Sequence, residues 1–167
     1  VALVTLSTSR QAIEATLLER QIACYQRLLG YAQTRSSVSF ADAPPAEIVQ
    51  RTIELGLLDE EEQSYGRVLS HGAYSSVLMT WYRNNVIHTL LMPSLIACLV
   101  IRRRRGIAKE NLANLVEMIF PYLAKEFTSA ETVDEFEGWL DQLIQQKLLV
   151  LEQRTVSNSS VEAQAQI

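Results

Sequence analysis

The chain has 167 residues, of which 48% are apolar and 20% charged, and its formal net charge is -4. This length fits one ordinary domain or two small ones, and the composition excludes a disordered, collagen-like or low-complexity protein. The mildly acidic balance argues against nucleic acid as a partner, because phosphate binding needs a basic face. Cys24 and Cys98 lie far apart without metal-ligand spacing, so the sequence predicts no disulfide framework, metal site or cofactor. No basic segment precedes an apolar stretch at the start, so no signal peptide is expected.

Helical periodicity dominates the rest of the sequence and predicts its organisation. Residues 1–33 are expected to form a helix, and residues 34–45, rich in Ser, Ala and Pro, a linker. Residues 46–156 are expected to form a C-terminal helical domain, and residues 157–167 a polar tail. The predicted fold class is therefore all-α, a helical bundle with at most one or two short β-hairpins.

Two segments predict departures from helix. Residues 57–70 (LLDEEEQSYGRVLS) have an acidic middle that suits a strand poorly, but their apolar ends could pair as a small hairpin. Residues 148–151 (LLVL) form a second strand-like run. In both places a predicted helix ends in paired leucines and passes into a strand-like stretch, but the likeness rests on few residues, and a true internal repeat is the less favoured interpretation. A helix followed by a small hairpin is also how winged-helix modules are built.

Pairs of polar residues three apart predict where two of the helices start. Thr8 with Gln11, and Thr132 with Glu135, each have the spacing of a capping box. The first pair would open the N-terminal helix and the second the helix that runs into the LLVL segment.

The longest apolar stretch is residues 84–101, which carry no formal charge when His88 is counted neutral. Its eighteen residues reach the lower limit for crossing a bilayer. Asn84, Asn85 and His88 near its start and Pro93 in its middle argue against a span. A buried core helix is the favoured interpretation, a membrane-surface helix the second and a true span the last.

Four consecutive arginines follow this stretch: Arg102, Arg103, Arg104 and Arg105. Cations at a helix C-terminus complement the helix dipole, but four exceed what one helix end needs. Basic residues near anionic lipid head groups gain about 1 kcal/mol each. We therefore predict that these arginines contact an anionic membrane surface.

A polar cluster begins the same stretch: Tyr82, Arg83, Asn84, Asn85 and His88. Asn84 and His88 are four residues apart, and Tyr82 and Asn85 three, so each pair shares a helix face. Polar groups within an apolar helix need partners or form a site. The favoured interpretation is a buried hydrogen-bonding hub, and the alternative is an anion site with Arg83 as the phosphate ligand.

Residues 78–97 (LMTWYRNNVIHTLLMPSLIA) resemble the region downstream of the catalytic domain in the large bacterial sn-glycerol-3-phosphate 1-O-acyltransferases. The shared features are the Tyr-Arg-Asn-Asn run, a histidine after two apolar residues, and Pro-Ser-Leu soon after. Residues 1–29 and 107–151 resemble that family more loosely. About twenty residues are specific, although most of the chain is covered.

The resemblance implies a parent enzyme that moves an acyl group from acyl-ACP or acyl-CoA to the 1-hydroxyl of glycerol 3-phosphate, the first step of phospholipid synthesis. The family's general base is a histidine paired with an aspartate five residues on, and neither His71 nor His88 fits that pattern. No catalytic residue is therefore assigned to this chain, which is predicted to be inactive alone. It would support the catalytic domain of the same protein at the cytoplasmic face of the bacterial inner membrane. The alternative is a regulatory helical or winged-helix-like interaction module with no catalytic role.

Overall fold

Two units of similar size make up the chain, Val1–Val86 and Ile87–Ile167. The computed structural model describes residues 1–8, 12–34, 39–40, 42–64, 66–103, 105–152 and 155–158. The elements of the first unit are α1 (Ala2–Thr5), β1 (Ala12–Glu14), α2 (Ala15–Gln33), α3 (Pro45–Glu54), β2 (Asp59–Gln63), β3 (Gly66–Ser70) and α4 (Ala73–Val86). Those of the second are a 3-10 turn (Ile87–Leu90), α5 (Leu91–Ile101), β4 (Ile107–Ala108), α6 (Lys109–Glu126), a 3-10 turn (Val133–Glu135), α7 (Phe136–Gln145), β5 (Leu149–Glu152) and β6 (Thr155–Asn158).

The prediction of an all-α bundle with at most one or two hairpins is wrong. Each unit contains a three-stranded antiparallel sheet, with strand orders β1-β3-β2 and β4-β6-β5, so the fold is mixed α/β. The two hairpins lie where the strand-like runs predicted them. The third strands were missed because β1 and β4 have only three and two residues, too few to show an alternating pattern.

Both units repeat one order of elements: a helix, a short strand, two helices and a hairpin whose second strand pairs with the short strand. The helix before each hairpin ends at a residue with positive φ, Gly56 (68°) or Lys147 (56°). The next residue in each case donates its backbone N–H to the carbonyl five residues earlier in the chain. Leu57 donates to Thr52 at 3.1 Å, and Leu148 donates to Leu143 at 2.9 Å. The repeat suggested by the paired leucines is therefore a repeat of architecture, and its order is winged-helix-like.

Helix α2 starts later than its predicted capping box, since Gln11 lies outside the described residues and the cap is Glu14. The Glu14 carboxylate accepts hydrogen bonds from the Thr16 hydroxyl (2.6 Å) and from the N–H groups of Thr16 (3.0 Å) and Leu17 (2.9 Å). These bonds lower the pKa of Glu14, because they stabilise its charged form. The bond from the Thr16 hydroxyl has the largest effect. The second predicted box also differs, since the Thr132 side chain makes no capping bond and a 3-10 turn leads into α7.

The core of the second unit is centred on Trp139, whose side chain is fully buried. Its indole Nε1 donates to Glu131 Oε1 at 3.1 Å, and Glu131 Oε2 accepts from the N–H of Met92 at 3.4 Å. Six of the 11 residues of α5 are buried: Leu91, Met92, Pro93, Leu95, Ile96 and Val100. The core of the first unit consists of Val4, Ile13, Ala15, Leu18, Ile22, Val49, Leu58, Leu69 and Met79.

The predicted linker and tail fall partly outside the described residues. Of the linker at 34–45, residues 35–38 and 41 are not described, and α3 begins at Pro45. Of the tail at 157–167, only residues 157 and 158 are described, and both belong to β6.

Candidate functional site

The polar cluster lies at the C-terminal end of α4 and in the turn that follows. Tyr82 is 44% exposed, Asn84 and Asn85 are exposed, and Arg83 is half-buried. The Arg83 guanidinium donates only long bonds, of 3.4 and 3.3 Å, to the Asn84 side-chain oxygen. His88 is half-buried and belongs to the second unit, where its backbone carbonyl accepts from the Ser129 hydroxyl at 3.4 Å. The burial expected of a hub is therefore not found, and the first four side chains present their donors and acceptors at the surface of the first unit.

An exposed apolar stripe on α4 was missed by the sequence analysis. Tyr74 (84% exposed), Val77 and Trp81 (59% exposed) are spaced i, i+3, i+7 and therefore share one helix face. The Trp81 and Tyr82 rings meet edge to face, with centroids 5.2 Å apart. Exposed apolar patches of this kind mark interaction surfaces in soluble proteins.

A cavity of about 780 Å³ that is open to solvent lies in the first unit, beside α4. The residues that line it are Val1, Ala2, Leu3, Ile22, Tyr25, Gln26, Leu29, Gly30, Gln33, Phe40, Asp42, Ile48, Thr52, Leu55, Leu57, Met79, Tyr82, Asn85 and Val86. Two members of the polar cluster, Tyr82 and Asn85, thus belong to the cavity wall. We call this space the α2–α4 cavity.

The wall of the α2–α4 cavity also contains polar groups, and some of these already have hydrogen-bond partners within the first unit. The Gln26 side-chain N–H donates to the Ala43 carbonyl at 2.7 Å, and the Thr52 hydroxyl donates to the Ile48 carbonyl at 2.7 Å. Burial raises the pKa of the Tyr25 hydroxyl, and the nearby Cys24 raises it further by a smaller amount. Tyr25 therefore stays protonated at neutral pH. The cavity can therefore hold an apolar group and offer it neutral hydrogen-bonding partners, together with the acidic residue Asp42 in its wall.

The arginine run lies directly after α5 in the second unit. Arg102, Arg103 and Arg105 are exposed, and Arg104 lies outside the described residues. Arg102 is the C-cap residue of α5, and the Arg103 N–H donates to the Val100 carbonyl at 2.9 Å. Within the described part of the chain none of the three forms an ion pair, so their charges face solvent.

The two histidines of the chain lie in different units, His71 in the first and His88 in the second. His71 is buried, with its Nδ1 2.7 Å from the Ser76 hydroxyl oxygen, and its Nε2 has no hydrogen-bond partner in the described region. In the same region no group of three or more His, Cys, Asp or Glu side chains could hold a metal ion.

One helical stretch, Ala73–Ile101, is long and apolar enough to cross a membrane by length and composition, with a mean hydropathy of 1.7 in its most apolar window. It comprises α4, the 3-10 turn and α5, and 39% of that window is buried. The core helices of soluble proteins meet the same criterion.

Comparison with known proteins identifies the family. Residues 1–167 match the family described as glycerol-3-phosphate acyltransferase C-terminal region. The chain is 34% identical over 159 residues to the glycerol-3-phosphate acyltransferase of Pseudomonas paraeruginosa, covering 93% of this chain and 19% of that protein. It is 33% identical over 144 residues to that of Shewanella amazonensis, covering 86% of this chain and 18% of that protein. No solved structure is significantly similar.

The chain thus spans about one fifth of the length of these curated relatives. The match over its whole length agrees with the resemblance first found in residues 78–97. This protein belongs to the family of glycerol-3-phosphate acyltransferase C-terminal regions.

Proposed function

We propose that the chain is the non-catalytic C-terminal region of an enzyme that transfers an acyl group from acyl-ACP or acyl-CoA to the 1-hydroxyl of glycerol 3-phosphate. In this role it supports the catalytic domain of the same protein and helps to hold the enzyme at the cytoplasmic face of the bacterial inner membrane. The observation that carries the proposal is the family match over residues 1–167, together with relatives that are about five times as long.

Two features of the chain support a scaffold rather than a catalyst. Neither His71 nor His88 is followed five residues on by an aspartate, and a hydroxyl nucleophile needs a base within hydrogen-bond reach. The exposed stripe of Tyr74, Val77 and Trp81 offers a surface on which another domain could pack.

The division between catalyst and scaffold is tested with two truncations. We expect the purified 167-residue chain to transfer no acyl group from acyl-CoA to glycerol 3-phosphate above a no-protein control. We also expect the parent enzyme without this region to lose activity, because its catalytic domain loses support. Turnover by the isolated chain would refute the proposal.

The repeated winged-helix-like order of elements favours a second candidate, an interaction module that regulates without contributing to catalysis. The same truncation separates the two candidates. A truncated parent with full basal activity would favour the regulatory module, whereas an inactive and poorly folded one favours the scaffold.

Membrane association is assigned to the arginine run. We expect the chain to sediment with anionic vesicles in a salt-dependent manner, because charge attraction is screened over about 8 Å at physiological ionic strength. At about 1 kcal/mol per basic residue, changing Arg102, Arg103 and Arg105 to glutamine should weaken partitioning about 100-fold. Vesicles of 30:70 anionic to neutral lipid, sedimented at several salt concentrations, provide the measurement.

A matched triple variant controls for net charge. Arg20, Arg27 and Arg51 are exposed residues of the first unit, and changing them to glutamine removes the same charge. This variant should retain most of the binding. Equal losses of vesicle binding in both triple variants would indicate a nonspecific effect of net charge. Unchanged binding of the variant at residues 102, 103 and 105 would assign membrane association to apolar insertion instead.

For the polar cluster we propose a structural role within the parent enzyme rather than a grip on the substrate phosphate. On this proposal the Arg83 guanidinium pairs with groups in the rest of the parent enzyme, so Arg83→Ala should leave them without a charged partner and lower the melting temperature and yield of the full-length enzyme. The KM for glycerol 3-phosphate of the remaining folded enzyme should change little. In the isolated chain, where Arg83 makes only long bonds to Asn84, stability should change by less than about 0.5 kcal/mol.

The opposite pattern would assign Arg83 to the substrate. Normal melting of the full-length enzyme with a KM raised tenfold or more is the result expected from losing a charge-assisted phosphate contact. Asn84→Ala provides a neighbouring control, because Asn84 is exposed and, among the described residues, its side chain hydrogen-bonds to Arg83 alone.

A further inference from the structure

The α2–α4 cavity is large for a unit of this size. Its volume of about 780 Å³ lies within the range of roughly 300–1,000 Å³ that suits a ligand of drug size. Its wall is formed largely by apolar side chains such as Ile22, Leu29, Ile48 and Met79. An apolar space of this volume is therefore suited to an apolar occupant.

The groups that are exposed at the wall indicate what kind of occupant fits. Leu55 is 62% exposed although it lines the cavity, and Tyr82, also in the wall, is 44% exposed. The exposed Asn85 amide can donate and accept, as can the neutral hydroxyl of Tyr25. A peptide segment offers apolar side chains together with backbone donors and acceptors, whereas a hydrocarbon chain has no use for these polar groups.

We propose that the α2–α4 cavity seats an apolar peptide segment of the same polypeptide, from the part of the parent enzyme that precedes this region. The family match is to a C-terminal region and the chain covers 19% of its relative, so most of the parent's length is available to supply the segment. This inference rests on the proposed function, since it takes the catalytic part of the parent as the partner. The cavity is then the attachment point between scaffold and catalyst.

Gly30 provides a probe of the cavity that does not disturb the first unit. It lies in α2 and lines the cavity, and a Cβ at this position would meet no heavy atom within 4 Å. A side chain placed there therefore enters open space. Gln50, an exposed residue of α3 that does not line the cavity, is the matched control position.

The experiment measures maleimide labelling of Gly30→Cys and Gln50→Cys in the full-length parent enzyme, quantified on the labelled peptides by mass spectrometry. We expect position 30 to react at least ten times more slowly than position 50, because the seated segment covers it. In a second arm, Gly30→Phe should lower the yield of folded enzyme and its activity at least tenfold, since the ring occupies the segment's place. Gln50→Phe should leave both near the wild-type values.

Two results would overturn the proposal. Equal labelling at the two positions would show that the cavity is open in the parent. Protection at position 30 that disappears on delipidation in detergent and returns with added palmitate would assign the cavity to an acyl chain instead. Acyl transfer by the unmodified parent is measured separately, so a failure of the proposed function appears as absent activity whatever the labelling pattern.

Discussion

Replacing Trp139 with alanine is expected to remove a large part of the second unit's stability. The indole is fully buried and makes a hydrogen bond of 3.1 Å to Glu131. Truncation of a buried tryptophan or phenylalanine to alanine costs about 3–5 kcal/mol, because it leaves a cavity as well as removing buried surface. Small domains have only about 5–15 kcal/mol in total. Urea denaturation of the purified chain, followed by far-ultraviolet circular dichroism, measures the change.

The chain contains its own control for this substitution, because it has a second tryptophan in an exposed position. Trp81 is 59% exposed on α4, so Trp81→Ala should change the stability of the isolated chain by less than about 0.5 kcal/mol. Trp139→Phe tests the hydrogen bond separately, since it keeps most of the apolar volume. Similar losses from Trp139→Ala and Trp81→Ala would contradict the burial described for Trp139.

Gly106→Ala is expected to be the second most damaging substitution. Gly106 has a φ of 72°, and a Cβ there would lie 2.7 Å from Thr155 Cγ2 and 2.8 Å from the Val156 carbonyl oxygen. The left-handed conformation alone costs a residue with a side chain about 1–2 kcal/mol. Overpacking adds typically about 1–3 kcal/mol, for a total loss of about 2–5 kcal/mol.

Gly56→Ala separates these two costs. Gly56 has nearly the same φ, 68°, but a Cβ there would meet no heavy atom within 4 Å. Its substitution should therefore cost only the conformational part, about 1–2 kcal/mol. The free energy of unfolding of both variants, measured under identical conditions, gives the steric contribution by difference. If the two losses were equal, the close approach of Gly106 to β6 would be incorrect.

The hairpins could be predicted from sequence, but the sheets could not. One leucine of each pair is buried where a strand begins: Leu58 directly precedes β2, and Leu149 is the first residue of β5. The acidic run at residues 59–62 was judged a poor strand, yet it forms β2. An edge strand can carry charges on both faces when both are solvated, so its sequence loses the alternation that identifies strands.

The candidate site stays a prediction, but the burial expected of its side chains is not found in the first unit. The run from Tyr82 to Asn85 is unusual in composition, and this is visible in sequence. Whether such side chains are buried depends on what packs against their helix, which residue spacing does not reveal. The stripe of Tyr74, Val77 and Trp81 has the same spacing as a core-facing stripe, so it could not be distinguished from one. The α2–α4 cavity combines residues from four helices and the segments between them, so no local sequence pattern indicates it.

The acidic strand β2 limits how the first unit can bind another polypeptide. It is an outer strand of its sheet, and its Asp59, Glu60, Glu61 and Glu62 side chains are exposed. Charges along an edge discourage strand addition, and the opposite edge, β1, is three residues long and leads directly into α2. Extension of this sheet by a partner strand is therefore disfavoured. We therefore expect the first unit to bind another polypeptide through the side chains of its helices. The specificity of such binding depends on the shape and sequence of the two surfaces rather than on backbone hydrogen bonds between strands.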